Sequence, residues 1–288
     1  MTTQDILKKV RELEIKSKRL TNHIFTGEYH SAFKGRGMSF KEVREYSPGD
    51  DPRFIDWNVS ARMGHTFSKV FEEERELTVY LLVDVSASSL FGTFRQSKKD
   101  LITEICAVLA FSAVANNDKA GLIFFSDHVE KFIPAKKGRD HVLYMVREML
   151  SFTSRCSQTD VLKALQFLNN TTRHKSIVFV LSDFADAGYK ETLRIAARRH
   201  DVIGVQVYDK RDEQLPQAGL MQLRDAETGK MVLLNTNDPY TRLKYSQQFQ
   251  KILNDAKNAF TKAGADILQV STGQDYVKLL QQFFIRRA

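Results

Sequence analysis

The feature that most restricts this fold is an alternation of two kinds of apolar segment between Leu77 and Tyr208. Leu77–Val83, Ala120–Phe125, Ser176–Leu181 and Val202–Tyr208 are short and rich in β-branched residues. They lack the polar alternation of a sheet with one wet face, so they read as strands buried on both sides. Helical stretches separate them: Gln96–Asn116, Arg139–Phe152, Thr159–Leu168 and Gly188–Arg199. In the second of these, Val142, Leu143, Val146, Met149 and Leu150 share one face. Val129–Ile133 reads as a short strand pairing with the one before it. Strand–helix alternation of this kind predicts the α/β class, with a doubly wound, mainly parallel sheet of the Rossmann type.

Two flanking zones complete the chain. From Met1 to Glu76, a helix is predicted over Thr3–Arg19, with Thr3 as N-cap and Ile6, Val10, Leu13 and Ile15 as a partial apolar stripe. A glycine- and charge-rich stretch follows. Pro48-Gly49-Asp50-Asp51-Pro52 is strong turn chemistry, and Thr66–Phe71 reads as a short strand. Beyond Tyr208, Gly219–Arg224 and Lys230–Leu234 flank Asp225-Ala226-Glu227-Thr228-Gly229 as a β-hairpin. A helix over Tyr240–Ala263, a strand over Ala265–Val270 and a helix over Gln274–Arg286 close the chain. The expected organisation is a segment 1–76 packed on a domain 77–288.

With 288 residues, 42% of them hydrophobic, the chain can bury a full core. Its two cysteines are too few for a disulfide framework, and Cys106, in an apolar helix, reads as a small buried hydrophobe. Met1–Leu20 is polar and charged, unlike a secretory leader, and the longest mostly apolar run, Ile105–Ala115, is far short of a membrane span. A soluble, cytoplasmic protein is expected. The net charge of +8 is spread along the chain without a recognition helix, zinc finger or RNA-binding signature, so a solvated basic surface is favoured over nucleic-acid binding.

The chemistry concentrates where the first buried strand ends, in Asp84-Val85-Ser86-Ala87-Ser88. Open parallel sheets bind ligands beyond the carboxyl ends of their strands. On such a loop Asp84, Ser86 and Ser88 can converge. Thr159, at the start of a helix, and Asp183, after the strand Ser176–Leu181, add two more oxygen donors in fitting places. Two acids and three hydroxyls suit a hard cation, Mg²⁺ with Mn²⁺ or Ca²⁺ as alternatives. No His or Cys cluster is expected to compete for zinc. Such a shell leaves a position for a carboxylate from another protein, and nothing to turn over, so a non-enzymatic role is expected. Taken alone, Asp-x-Ser-x-Ser is more often loop capping than a site.

These residues resemble the metal-ion-dependent adhesion site of von Willebrand factor A domains, although Cys156-Ser157-Gln158 stands where many such domains carry glycines. Gly35-Arg36-Gly37, Phe40, Arg44-Glu45-Tyr46, Pro48-Gly49-Asp50-Asp51, Arg53, Ile55-Asp56-Trp57 and Ser60-Ala61-Arg62 resemble the signature of the bacterial family called domain of unknown function 58, and Ser182-Asp183-Phe184 fits it too. The resemblance implies an A-like domain and an adaptor or co-chaperone role beside a MoxR-type AAA+ ATPase, gripping the ATPase or its client through an acidic side chain at the metal.

Other features have plainer readings. Asp50–Arg62 reads first as an Arg–carboxylate network with Trp57 buried against the sheet, and second as a docking surface for the partner. Lys136-Lys137-Gly138-Arg139 reads as a solvated turn rather than a phosphate site. The histidines, His128, His141 and His174 among them, are scattered and suggest no catalytic triad. The rival function is phosphotransfer through Asp84, although acyl-phosphate phosphatases want a second acid where this chain has Ser86.

Overall fold

A computed structural model describes residues 3–24, 39–72, 77–92, 96–154, 156–186, 188–224 and 229–287. In chain order the elements are α1 (Thr3–Ile24), β1 (Ser39–Glu45), α2 (Trp57–Met63), β2 (Phe67–Glu72), β3 (Thr78–Asp84), α3 (Lys98–Ala115), β4 (Lys119–Phe125) and β5 (Val129–Lys136). There follow α4 (Arg139–Ser151), α5 (Val161–Thr171), β6 (Ile177–Ser182), α6 (Lys190–Arg199), β7 (Asp201–Tyr208) and α7 (Lys210–Glu213). The last are β8 (Leu220–Arg224), β9 (Met231–Asn235), α8 (Pro239–Ala263), β10 (Asp266–Ser271) and α9 (Tyr276–Arg287). The chain divides into two compact units, Met1–Ala32 with Leu77–Ala288, and Phe33–Glu76.

The larger unit is built on a six-stranded sheet ordered β10-β7-β6-β3-β4-β5. Every neighbouring pair is parallel except β4 and β5. The chain winds from β3 outward to β5, then returns to β6 and winds the other way to β10. The direction of winding therefore reverses between β3 and β6, and the cleft beyond their carboxyl ends is where such sheets take ligands. This is the doubly wound α/β architecture anticipated from the alternation of strands and helices.

Both faces of the sheet are covered. Tyr80, Leu82, Ile123, Phe125, Val178 and Val180 point to one side, against Val161, Leu165 and Leu168 of α5, Leu193 of α6 and Phe260 of α8. Gly204 on β7 makes room for that last ring: a Cβ there would lie 2.6 Å from Phe260 Cζ. On the other side lies α3, whose residues Ile105–Ala113 are all buried. A helix apolar all round needs cover on both sides. The sheet supplies one and α1 the other. Val10 and Leu13 of the predicted α1 stripe are buried, whereas Ile15 is 57% exposed. The neighbouring buried position belongs to Glu14, which accepts from Arg139 Nε at 2.6 Å. Lys9 and Lys16 of α1 pair with Asp100 and Glu104 of α3, each at 2.5 Å.

Cys106 is fully buried, as expected. The hairpin β8–β9 forms its own two-stranded antiparallel sheet with Leu220, Met231 and Leu233 exposed. No helix among the described residues is long and apolar enough to cross a membrane.

In the smaller unit, β1 and β2 pair antiparallel with a register break between Phe40 and Glu42. Arg44 pairs with Asp50 at 2.7 Å and Arg53 with Asp51 at 2.6 Å. Hydrogen bonds from Arg53 hold the Asp51 carboxyl down at about 2. Asp56 caps α2 through the N–H groups of Asn58 and Val59. The expected Arg–carboxylate contacts are present, but the expectation that Trp57 is buried is wrong: it is 71% exposed. Ion pairs and the Asp56 cap hold this turn, so it needs no indole anchor. The signature residues Gly35-Arg36-Gly37 lie outside the described residues.

A candidate metal centre at the strand ends

Asp84 is the last residue of β3, opposite Phe125 of β4. Its side chain is 3% exposed and bonded at both oxygens: the Ser86 N–H donates to Oδ1 at 2.9 Å and Ser182 Oγ to Oδ2 at 2.7 Å. The Val85 N–H bonds to the Phe125 carbonyl at 2.9 Å, after which the chain turns into a 3-10 segment, Ala87–Leu90. That turn brings Ser86 Oγ within 3.1 Å of Ser88 Oγ. Asp84, Ser86 and Ser88 thus occupy one tight loop beyond the strand.

Asp183 arrives from the other side of the switch point, one residue past β6. Gln206 Nε2 donates to its backbone carbonyl at 2.9 Å. The next residue, Phe184, has a left-handed backbone, φ 53°, which bulky residues adopt at a cost. Burial, and then the neighbouring Asp183 carboxylate, push the Asp84 carboxyl up to about 7, against the lowering effect of the Ser182 and Ser86 hydrogen bonds.

Thr159 lies in the loop before α5. That loop is tied to the rim on both sides of Thr159: the Ala87 N–H bonds to the Ser157 carbonyl at 3.3 Å and the Asp160 N–H to the Ser126 carbonyl at 2.8 Å. Asp160, not Thr159, caps α5, accepting from the Lys163 N–H at 3.0 Å. Thr159 Oγ1 is buried and has no hydrogen-bond partner. A buried hydroxyl left without a partner, in a loop bonded to the turn after Asp84, fits a donor set that expects a cation.

The sequence reading missed Lys98. It is the first residue of α3, 5% exposed, with Nζ 3.5 Å from Asp183 Oδ2 and 3.2 Å from Asp212 Oδ2. Burial alone would lower its pKa, but the two carboxylates outweigh burial and hold it raised. One faint signal existed: a lysine in the first turn opposes the helix dipole, which hints at acids facing it. Beside Ser88, Lys98 and Asp183 opens a cavity of about 800 Å³, mostly apolar, walled by Leu215, Met221 and Phe249 among others.

The sequence suggested no His or Cys cluster competing for zinc, and it did not reveal one group of metal-ligating side chains that the fold assembles. Ligand atoms of Asp127, His128 and Cys156 lie within 4.8 Å of one another. The first two are in the β4–β5 turn and the third is in the Thr159 loop, so only the fold makes them neighbours.

Comparison with known proteins gives the chain a family. The model of the family "Protein of unknown function DUF58" matches residues 42–253. The uncharacterized protein Rv1480 of Mycobacterium tuberculosis is 30% identical over 281 residues, covering 96% of this chain and 88% of that protein. YeaD of Bacillus subtilis, also uncharacterized, is 30% identical over 107 residues, 37% of this chain and 25% of that protein. Among solved structures, an aerotolerance-related membrane protein from Bacteroides fragilis is 15% identical, with a TM-score of 0.49 over 73% of this chain and 99% of that one. The mussel byssus proximal thread matrix protein 1, solved with a zinc-occupied MIDAS motif, is 16% identical, with a TM-score of 0.43 over 74% of this chain and 48% of that one. The fold itself rests on the strand order, with its reversal between β3 and β6. The family match spans both compact units and most of the chain: this protein belongs to the DUF58 family.

Proposed function

We propose that this chain is a metal-dependent protein–protein interaction module, in which Asp84, Ser86, Ser88, Thr159 and Asp183 hold a divalent cation, Mg²⁺ or a close analogue. The observation that carries the reading is the buried, unpartnered Thr159 Oγ1 beside the loop of Asp84. Five oxygen donors from three loops form a hard, all-oxygen set, with no nitrogen or sulfur among them. When bound, the cation supplies a localised positive charge able to engage a partner's carboxylate.

The chain's own residues divide the remaining work. Ser182 and the Ser86 N–H orient Asp84. Gln206 fixes the backbone at Asp183. The cavity beside Ser88 and Asp183 gives the flanking residues of a bound segment an apolar surface. Asp84 is buried and bonded at both oxygens, which suits a ligand or an anchor of the loop better than a nucleophile open to in-line attack. We therefore favour a binding role over phosphotransfer. For the partner we propose a MoxR-type AAA+ ATPase or its client, presented through an acidic side chain. This part rests on the family resemblance in the signature residues.

The test is capture of the ATPase by the full chain with Mg²⁺ and with EDTA, comparing wild type with Asp84→Ala. Capture that needs Mg²⁺ and is lost in the variant is expected. Equal capture in EDTA would remove the metal from the interaction.

A further inference from the structure

The turn between β4 and β5 and the loop before α5 bring three different metal-ligating groups together. His128 Nδ1 lies 2.6 Å from Asp127 Oδ1. The Cys156 side chain hydrogen-bonds to the same Asp127 carboxyl. Ser154 steadies the cysteine's backbone: its Oγ accepts from the Cys156 N–H at 3.1 Å and lies 2.9 Å from the Cys156 carbonyl oxygen. The same hydroxyl donates to Glu130 on β5, whose charge acts on Cys156. The Asp127 and His128 side chains are 40% and 54% exposed, so an ion from solvent can reach them.

We propose that Asp127, His128 and Cys156 form a second cation site, for a thiophilic first-row divalent ion such as Zn²⁺. Thiolate, imidazole and carboxylate together select that class of ion and discriminate against Mg²⁺. The charges balance: a thiolate and a carboxylate neutralise the dication, neutral imidazole adds none, and the thiol proton leaves to solvent as the metal–sulfur bond forms. Three protein ligands at an exposed position leave room for water as the fourth. An ion here would staple the loop carrying Thr159 to the β4–β5 turn. The proposal stands independently of any ion at Asp84.

Co²⁺ is the probe, added to the reduced full chain in excess Mg²⁺. A thiolate-to-cobalt charge-transfer band saturating at about one equivalent is expected from a single such site. The band should persist in Asp84→Ala and disappear in Cys156→Ser. His128→Gln should weaken cobalt binding at least about tenfold, the scale of disturbing a ligand shell. Zn²⁺ should displace the cobalt and Mg²⁺ should not. Absence of a thiolate band with cobalt in excess would overturn the proposal. So would an equal band in Cys156→Ser, because the chain's other cysteine is the fully buried Cys106.

Discussion

Replacing Lys98 by methionine should tighten divalent-cation binding at the Asp84 rim while destabilising the ion-free protein. The ammonium stands 3.5 Å from Asp183 and 3.2 Å from Asp212, with side-chain exposures of 6%, 18% and 26%. At an effective dielectric of about 20, each attraction is worth about 5 kcal/mol before desolvation is counted. Burial takes back most of that sum, so a net effect of roughly 1–2 kcal/mol on cation affinity is expected, about 5- to 30-fold in Kd. Two contributions share a sign. Without the ammonium, the ion-free site loses the charge that offsets its acids, and an incoming cation meets no resident positive charge. Methionine keeps most of the buried stem, so packing changes little. Calorimetric titration with Mn²⁺ reads the affinity, and thermal unfolding in EDTA reads the stability. Asp212→Asn leaves the ammonium to Asp183 alone and should shift the affinity the other way. A folded Lys98→Met protein that bound Mn²⁺ no more tightly than wild type would refute the argument.

Two further outcomes follow from the core. Burial, and then Arg199, lower His200 to about 4 from an ordinary 6.5, so the unfolded chain takes up a proton there that the folded chain refuses. Its contribution to stability is intact above about pH 6.5 and falls as pH drops toward 4, by at most about 3 kcal/mol at 1.36 kcal/mol per pKa unit. Urea unfolding at pH 7.5 and pH 4.5 should show the loss in wild type and a smaller one in His200→Gln. Gly204→Ala places a methyl group against the Phe260 ring and should cost about 1–3 kcal/mol by overpacking, read as a lower urea midpoint with an unchanged slope.

The main sheet was legible because its strands are buried on both faces, and continuous apolar runs such as Val79–Val83 need no knowledge of partners to be recognised. In contrast, β1 was missed: its register break between Phe40 and Glu42 interrupts the period of two that would have announced it. The loop Asp84–Ser88 could be placed because its donors are contiguous and follow a strand. Asp183 could be placed for the same reason. The approach of Lys98 to Asp183, and the company Cys156 keeps with Asp127 and His128, could not, since only the winding of the chain brings these residues together. Trp57 shows the reverse error, a general preference for buried indoles applied where a capped helix and two ion pairs already hold the turn.

Phe184 has a consequence for the acid that precedes it. The left-handed backbone costs about 1–2 kcal/mol for a residue with a Cβ. Its ring, 3% exposed, recovers this by packing edge-on to Phe260 at 5.1 Å and tilted to Tyr189 at 5.7 Å. The bearing of the Asp183 carboxylate is thereby set from beneath, by aromatic rings that never reach the cleft. A descendant of this chain that exchanged Phe260 for a smaller residue would have to re-aim its acid as well as refill its interior.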